Sequence, residues 1–123
     1  MAAPNIVGVS TITGKSAGIA VTTSAAAIVA NGAGSNKVFK VNALYVSNVD
    51  GTNNADVSVT FFDQSANAGA GVSFHIAKTI VVPADGSLDV LSKALYLEEG
   101  DELRIVANAN SDIEAVASYE EIS

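Results

Sequence analysis

Four groups of residues have the types and spacing that could do chemistry. Thr13-Gly14-Lys15-Ser16 has the lysine and hydroxyl that close a phosphate-binding loop. Such a loop needs a glycine five positions before Gly14 and a helix behind it, so that backbone N–H groups cradle the phosphate. Val9 stands at that position, Gly8 is one place off, and Ala17 to Thr23 reads as strand. The tetrapeptide therefore predicts a hairpin turn between two strands. Asp50-Gly51-Thr52-Asn53-Asn54-Ala55-Asp56 offers oxygen ligands and a bend, and calcium takes six to eight oxygens. The EF-hand order fails, because the glycine comes second and the twelfth position is Phe61. A polar connection that caps its own backbone is the reading, with an irregular calcium loop as the alternative.

Glu98, Glu99, Asp101 and Glu102 form the densest acidic cluster. A paired-carboxylate hydrolase needs one carboxyl raised in an apolar cleft and an ionised one opposite. These four sit on a turn with no tryptophan anywhere in the chain to platform a sugar, so a solvated turn or contact with a basic partner is expected. His75, the single histidine, lies between Phe74 and Ile76, and no serine sits in a Gly-x-Ser-x-Gly elbow. It reads as an ordinary sheet histidine. No catalytic residue, metal ligand or cofactor is assigned, and the expectation is a protein that is not an enzyme.

The 123 residues predict one domain spanning 1–123. The chain is 49% hydrophobic and only 15% charged, which suits a packed core and not a disordered segment. Cysteine is absent, so disulfides and thiolate chemistry are excluded. Net charge is −7, and residues 82–123 hold ten acids against two bases. Nucleic acid and anionic membrane are disfavoured partners, whereas a basic protein would be attracted. The N-terminus lacks a basic region followed by a long apolar one, and the run Ala17 to Ala30 is interrupted by Thr22, Thr23 and Ser24. A soluble product made in a cytosol is expected.

Period-two alternation dominates the chain, as half-buried strands require. Val57, Val59 and Phe61 alternate with Ser58, Thr60 and Phe62. Leu103, Ile105 and Ala107 alternate with Arg104 and Val106. Ile113, Ala115, Ala117 and Tyr119 alternate with Glu114, Val116 and Ser118. Val72, Phe74 and Ile76 predict a buried face of another strand. From Phe39 to Val46 both faces turn apolar midway, which predicts a central strand covered on both sides for part of its length. Strands are predicted near 5–12, 17–23, 26–30, 37–48, 55–62, 72–82, 87–91, 94–97, 102–108 and 113–120. In Pro83-Ala84-Asp85-Gly86, proline presets φ and glycine is expected to supply the positive φ. The fold class is all-β: a single-domain antiparallel β-sandwich, jelly-roll or Ig-like.

Four segments then carry a resemblance. They are Ala43 to Gly51 followed by Ala55 to Val59, Ile80-Val81-Val82-Pro83-Ala84-Asp85-Gly86-Ser87-Leu88, Leu95-Tyr96-Leu97-Glu98-Glu99-Gly100-Asp101-Glu102-Leu103, and Val116-Ala117-Ser118-Tyr119-Glu120-Glu121-Ile122. In this order they resemble small β-sandwich structural (decoration-type) proteins of tailed bacteriophage particles, marine cyanophages among them. The resemblance implies a virion protein made in the host cytoplasm. Capsid decoration, binding the major capsid protein or other virion proteins, comes first. A neck, tail or fibre component, or a glycan- or receptor-binding module, is the alternative. It also implies a homo-oligomer, with a trimer favoured. Residues 1–13, with Ile6, Val7 and Val9, are the expected arm or edge strand that adds to a neighbour's sheet. Glu98, Glu99, Asp101 and Glu102 are the expected contacts to a basic partner.

Overall fold

A computed structural model of the chain describes Gly8 and residues 10–123. The strands are β1 (Ile12–Val21), β2 (Ala26–Ala30), β3 (Val38–Asn48), β4 (Ala55–Asp63), β5 (Val72–Val82), β6 (Ser87–Asp89), β7 (Leu95–Leu97), β8 (Glu102–Ala107) and β9 (Ile113–Ile122). One sheet runs β1-β9-β3-β6, with β7 also on β3; the other runs β2-β8-β4-β5. Every pairing is antiparallel. Strand β6 pairs with Tyr45–Ser47 and β7 with Phe39–Val41, so together they act as one interrupted strand along the same edge of β3. The pairing is nested: β1 with β9, β2 with β8, β3 with β6 and β7, β4 with β5. That is the jelly-roll arrangement of a β-sandwich, and it decides between the two expected sandwich types.

The core lies between the sheets. Ile113, Ala115 and Ala117 of β9 and Val41, Leu44 and Val46 of β3 face Val57 and Val59 of β4 and Leu103 and Ile105 of β8, all essentially inaccessible to solvent. Each large aliphatic side chain among them contributes about 1.5–3 kcal/mol by leaving water. The alternation read for β4, β8 and β9 is thus what buries them.

Three strands depart from expectation. In β3 the register against β9 shifts between Val41 and Ala43. The extra residue, Asn42, is exposed, and the slip changes which parity faces inward. Phe39, Val41, Leu44 and Val46 all reach the core, while Tyr45 stands 51% exposed. The doubly apolar run is a bulged strand with one buried face, not a strand covered on both sides. In β5, Phe74 and Ile76 are exposed, contrary to the predicted buried face. This strand is a sheet edge, and its register against β4 shifts twice, on either side of Val59. Thr79 takes φ 48° at the first shift and its N–H donates to Ser58 Oγ at 2.8 Å. Finally, Thr13-Gly14-Lys15-Ser16 is not a turn. It lies inside β1, paired in unbroken register with Glu121 to Ser118 of β9. Half of the predicted strand at 5–12, residues 5–7 and 9, falls outside the described residues, and of the rest only Ile12 is in a strand.

Among the turns, Gly86 N–H closes back on the Pro83 carbonyl at 2.8 Å. The positive φ there belongs to Asp85 (56°), not to the glycine. Gly71 is different: at φ 83° a Cβ would lie 2.3 Å from the Phe62 ring, so only glycine fits.

Candidate interaction surfaces

The acidic turn between β7 and β8 does not present its four carboxylates together. Asp101 is buried, with Oδ2 accepting the Glu98 N–H at 3.0 Å and Oδ1 the Gln64 N–H at 3.1 Å. It ties the turn to the end of β4. Glu102 is half-buried and accepts from Arg104 Nε at 2.8 Å, while that guanidinium lies 3.9 Å over the Phe62 ring. Glu99 accepts the Asn36 N–H at 3.2 Å. Glu98 alone is both exposed and free of such ties. Asp101, Glu99 and Glu102 thus each make a contact within the fold, and one oxygen of Glu99, Oε1, is buried with no partner among the described residues. Ile6, Val7 and Val9 of the expected arm lie outside the described residues.

Two buried asparagines, read only as loop and strand residues in the sequence, organise the sandwich ends. Asn31 is 1% exposed, and its Nδ2 donates to the Lys37 carbonyl at 2.8 Å and the Leu97 carbonyl at 3.0 Å. Its own backbone exchanges bonds with the acidic turn: Asn31 N–H to the Asp101 carbonyl, Gly100 N–H to the Asn31 carbonyl. Asn48 is 2% exposed, and its Nδ2 donates to the Asn53 and Val82 carbonyls, both at 2.9 Å. Each satisfies carbonyls that would otherwise be buried without partners. The only sequence signal is an asparagine flanking a turn.

Of the other chemistry-bearing groups, Asp50 and Lys15 are engaged in structure and His75 is exposed. Asp50 Oδ1 accepts the Thr52 N–H at 2.8 Å, and Oδ2 accepts from Asn53 at 3.3 Å. The Thr52 bond first, then Asn53, hold its carboxyl below the usual aspartate value. The loop caps its own backbone. Among the described residues no three His, Asp or Glu side chains are grouped to hold a metal ion. His75 is exposed on β5, opposite Thr60. Lys15 extends to Glu121, at 3.1 Å, and Lys37 reaches the same carboxylate at 3.0 Å. Burial pushes the Glu121 carboxyl up, but the bonds and charges of Lys37 and Lys15 outweigh it, and the net shift is downward.

Exposed apolar side chains lie on β5 of the four-stranded sheet, at Phe74, Ile76 and Val81, and on the outer face of the five-stranded sheet. Tyr45 and Val116 are direct cross-strand neighbours, and Val116 is in turn opposite Gly18. The tyrosine and valine are 51% and 45% exposed. Tyr96, 44% exposed, is carried by β7 opposite Lys40. Beside Val116 the missing side chain of Gly18 leaves a shallow groove of about 280 Å³ toward Ala20 and Glu114. A second groove of about 210 Å³ lies between Asp56, Ser58, Thr79 and Val106 on the other sheet. Both are below the roughly 300–1,000 Å³ of small-molecule pockets. Glu114, Glu120 and Asp89, with Lys40 opposite Glu120, give the first face a charged, mainly acidic margin around an apolar centre. Comparison of the chain with protein-family models and with curated proteins gives no match.

Proposed function

We propose that the protein is a non-catalytic virion component of a tailed bacteriophage, a decoration protein that binds and stabilises the assembled capsid shell. The observation that carries this reading is the ordered set of four segments, Ala43–Gly51 with Ala55–Val59, Ile80–Leu88, Leu95–Leu103 and Val116–Ile122, that resembles such proteins. Two features support it. The jelly roll is an architecture that viral capsid domains use, although it is shared with lectins and other proteins. Asp101, Asp50 and Lys15 are also engaged in structure, whereas an apolar face with charged residues at its margin is open.

On this reading Tyr45 and Val116 form the centre of the contact, and the shell offers an apolar site with a basic margin. Binding to the assembled shell and not to free subunits stabilises the shell by mass action, summed over many copies. The test is the number of copies in an intact particle, together with binding of purified protein to bare shells and to unassembled capsid subunits. Hundreds of copies and shell-only binding support decoration. A dozen copies or fewer would move the protein to neck, tail or fibre, and absence from particles overturns the virion reading. An acidic rim meeting a basic margin also requires binding to weaken with added salt, since screening acts over about 8 Å at physiological ionic strength.

A further inference from the structure

The sheet edges are not finished alike. Edge strand β5 carries two register shifts, a positive φ at Thr79 and Lys78. On the opposite edge of the other sheet, β6 and β7 are three residues each and interrupted. Strand β2 has five residues and a register shift after Ala27. These are devices that stop sheets from adding strands to one another. Strand β1 has no register shift and no interruption, and its one lysine, Lys15, is paired with Glu121. It is ten residues long, and its register against β9 runs from Ile12↔Ile122 to Val21↔Ile113 without a shift.

Which backbone groups of β1 are free follows from its neighbour. Thr11 and Ser123 exchange both hydrogen bonds, N–H to carbonyl at 3.0 Å and 2.9 Å. In an antiparallel ladder such bonded pairs alternate with non-bonded ones, so the odd-numbered residues of β1 are spent on β9. Ile12, Gly14, Ser16, Gly18 and Ala20 therefore direct their N–H and C=O groups away from the sheet. No described residue pairs with them. Four of the five are glycine, serine or alanine, and the one bulky side chain, Ile12, stands at the strand's first position. The single charge on the strand, Lys15, belongs to the other set and is neutralised by Glu121.

We propose that this edge pairs with β1 of a second copy, antiparallel across a two-fold axis at Ser16. Ser16 is the middle of the five outward residues. With Ser16 opposite itself, Gly14 meets Gly18 and Ile12 meets Ala20, so every free group finds a partner and none is left over. The same register sets Lys15 against Ala17, so no like charges meet. Net charge of −7 on each copy opposes association in general, but not here. The acids nearest the edge are on β9, and the two β9 strands would stand three strand spacings apart, about 14 Å, beyond the roughly 8 Å of screening. The contact is self-complementary and closes as a dimer. A threefold assembly would need a different contact elsewhere. This inference does not rest on the virion reading.

Cysteine substitution tests the register directly, because the chain has none of its own. In the proposed pair the two Ser16 Cα atoms are about 5.5 Å apart, within disulfide range. Ser16→Cys should form a covalent dimer under mild oxidation. Gly14→Cys, where a Cβ meets open space, faces Gly18 of the second copy and should cross-link roughly ten-fold more slowly or worse, as it lacks the effective concentration of a paired site. Sedimentation should show a dimer for the parent and a monomer for Ser16→Lys, which sets two lysines face to face while keeping the parent's circular dichroism. Equal cross-linking of both cysteine variants overturns the proposal. So does a parent that stays monomeric at millimolar concentration, or a folded Ser16→Lys protein that remains dimeric. A dimer that forms only after residues 1–9 are deleted would also overturn it, by showing that the chain's own N-terminal segment holds the edge.

Discussion

Replacing Asn31 by aspartate changes almost nothing in shape and reverses the chemistry of a buried contact. The amide nitrogen donates at 2.8 Å and 3.0 Å to the carbonyls of Lys37 and Leu97, and the residue is 1% exposed. Leaving a buried polar group without its partner costs about 1–3 kcal/mol. The Leu97 bond is buried and the Lys37 bond partly so. Asn31→Ala should therefore cost about 3 kcal/mol. Asn31→Asp should cost about 4 kcal/mol or more at pH 7, because a carboxylate then faces two carbonyl oxygens. At about 4 °C per kcal/mol for a chain of this size, the melting temperature falls by about 12 °C and 16 °C. The ionised form is the disfavoured one, so the folded-state pKa of the new carboxyl is raised above the unfolded value of about 3.9. The penalty is then absent below that value, grows as pH rises toward the folded pKa, and is full above it. Thermal unfolding followed by circular dichroism at pH 4 and pH 7, always as the difference from the parent, measures it. An Asn31→Asp protein within 1 kcal/mol of the parent at pH 7, or a gap that widens on acidification, would refute the role assigned to Asn31.

Glu121→Gln should lower stability by about 1 kcal/mol, a modest value because both lysines are well exposed. Since the Glu121 pKa is lowered in the fold, its contribution is present above the unfolded value of about 4.3 and lost as pH falls through the lower folded value. Urea titrations should accordingly show the gap between variant and parent at pH 6 and its closure in acid. Gly71→Ala should cost about 2 kcal/mol or more in the same assay, combining the left-handed φ with displacement of the Phe62 ring. Val116→Glu should leave stability within about 0.5 kcal/mol, since the side chain is half in solvent. The same variant should reduce shell binding about ten-fold or more if this face makes the contact.

The parts of the fold legible in the sequence are those where one face of a regular strand is buried. In β8, Leu103, Ile105 and Ala107 alternate because nothing interrupts the pleat, and β9 behaves the same way through Tyr119. The pattern misleads where the pleat slips. Asn42 adds one residue to β3, and a one-dimensional alternation cannot distinguish such a slip from burial on two faces. Phe74 has a core residue's chemistry, but its strand is the last in its sheet, and edge position is a property of topology. Gly14 and Ser16 have turn propensities that pairing with Glu120 and Ser118 overrides. Four acids in five positions look equivalent in sequence, yet Asp101 turns inward because two backbone N–H groups converge on it, one of them Gln64's from a distant segment.

Nesting of the strand pairs also imposes a schedule on folding. The innermost pair, β4 and β5, closes over the short turn at 64–71, whereas β1 and β9 join opposite ends of the described chain. Loop-closure entropy rises with the length spanned, so zippering outward from the β4–β5 hairpin is the cheapest route, and β1 is expected to be the last strand seated. Pulsed hydrogen exchange during refolding should find the Thr13, Lys15 and Ala17 amides protected latest, and early protection there would contradict this order. The bare side of β1 would then come into being only on molecules that have already completed their core, so an assembly built through it would recruit finished subunits and pass over immature ones.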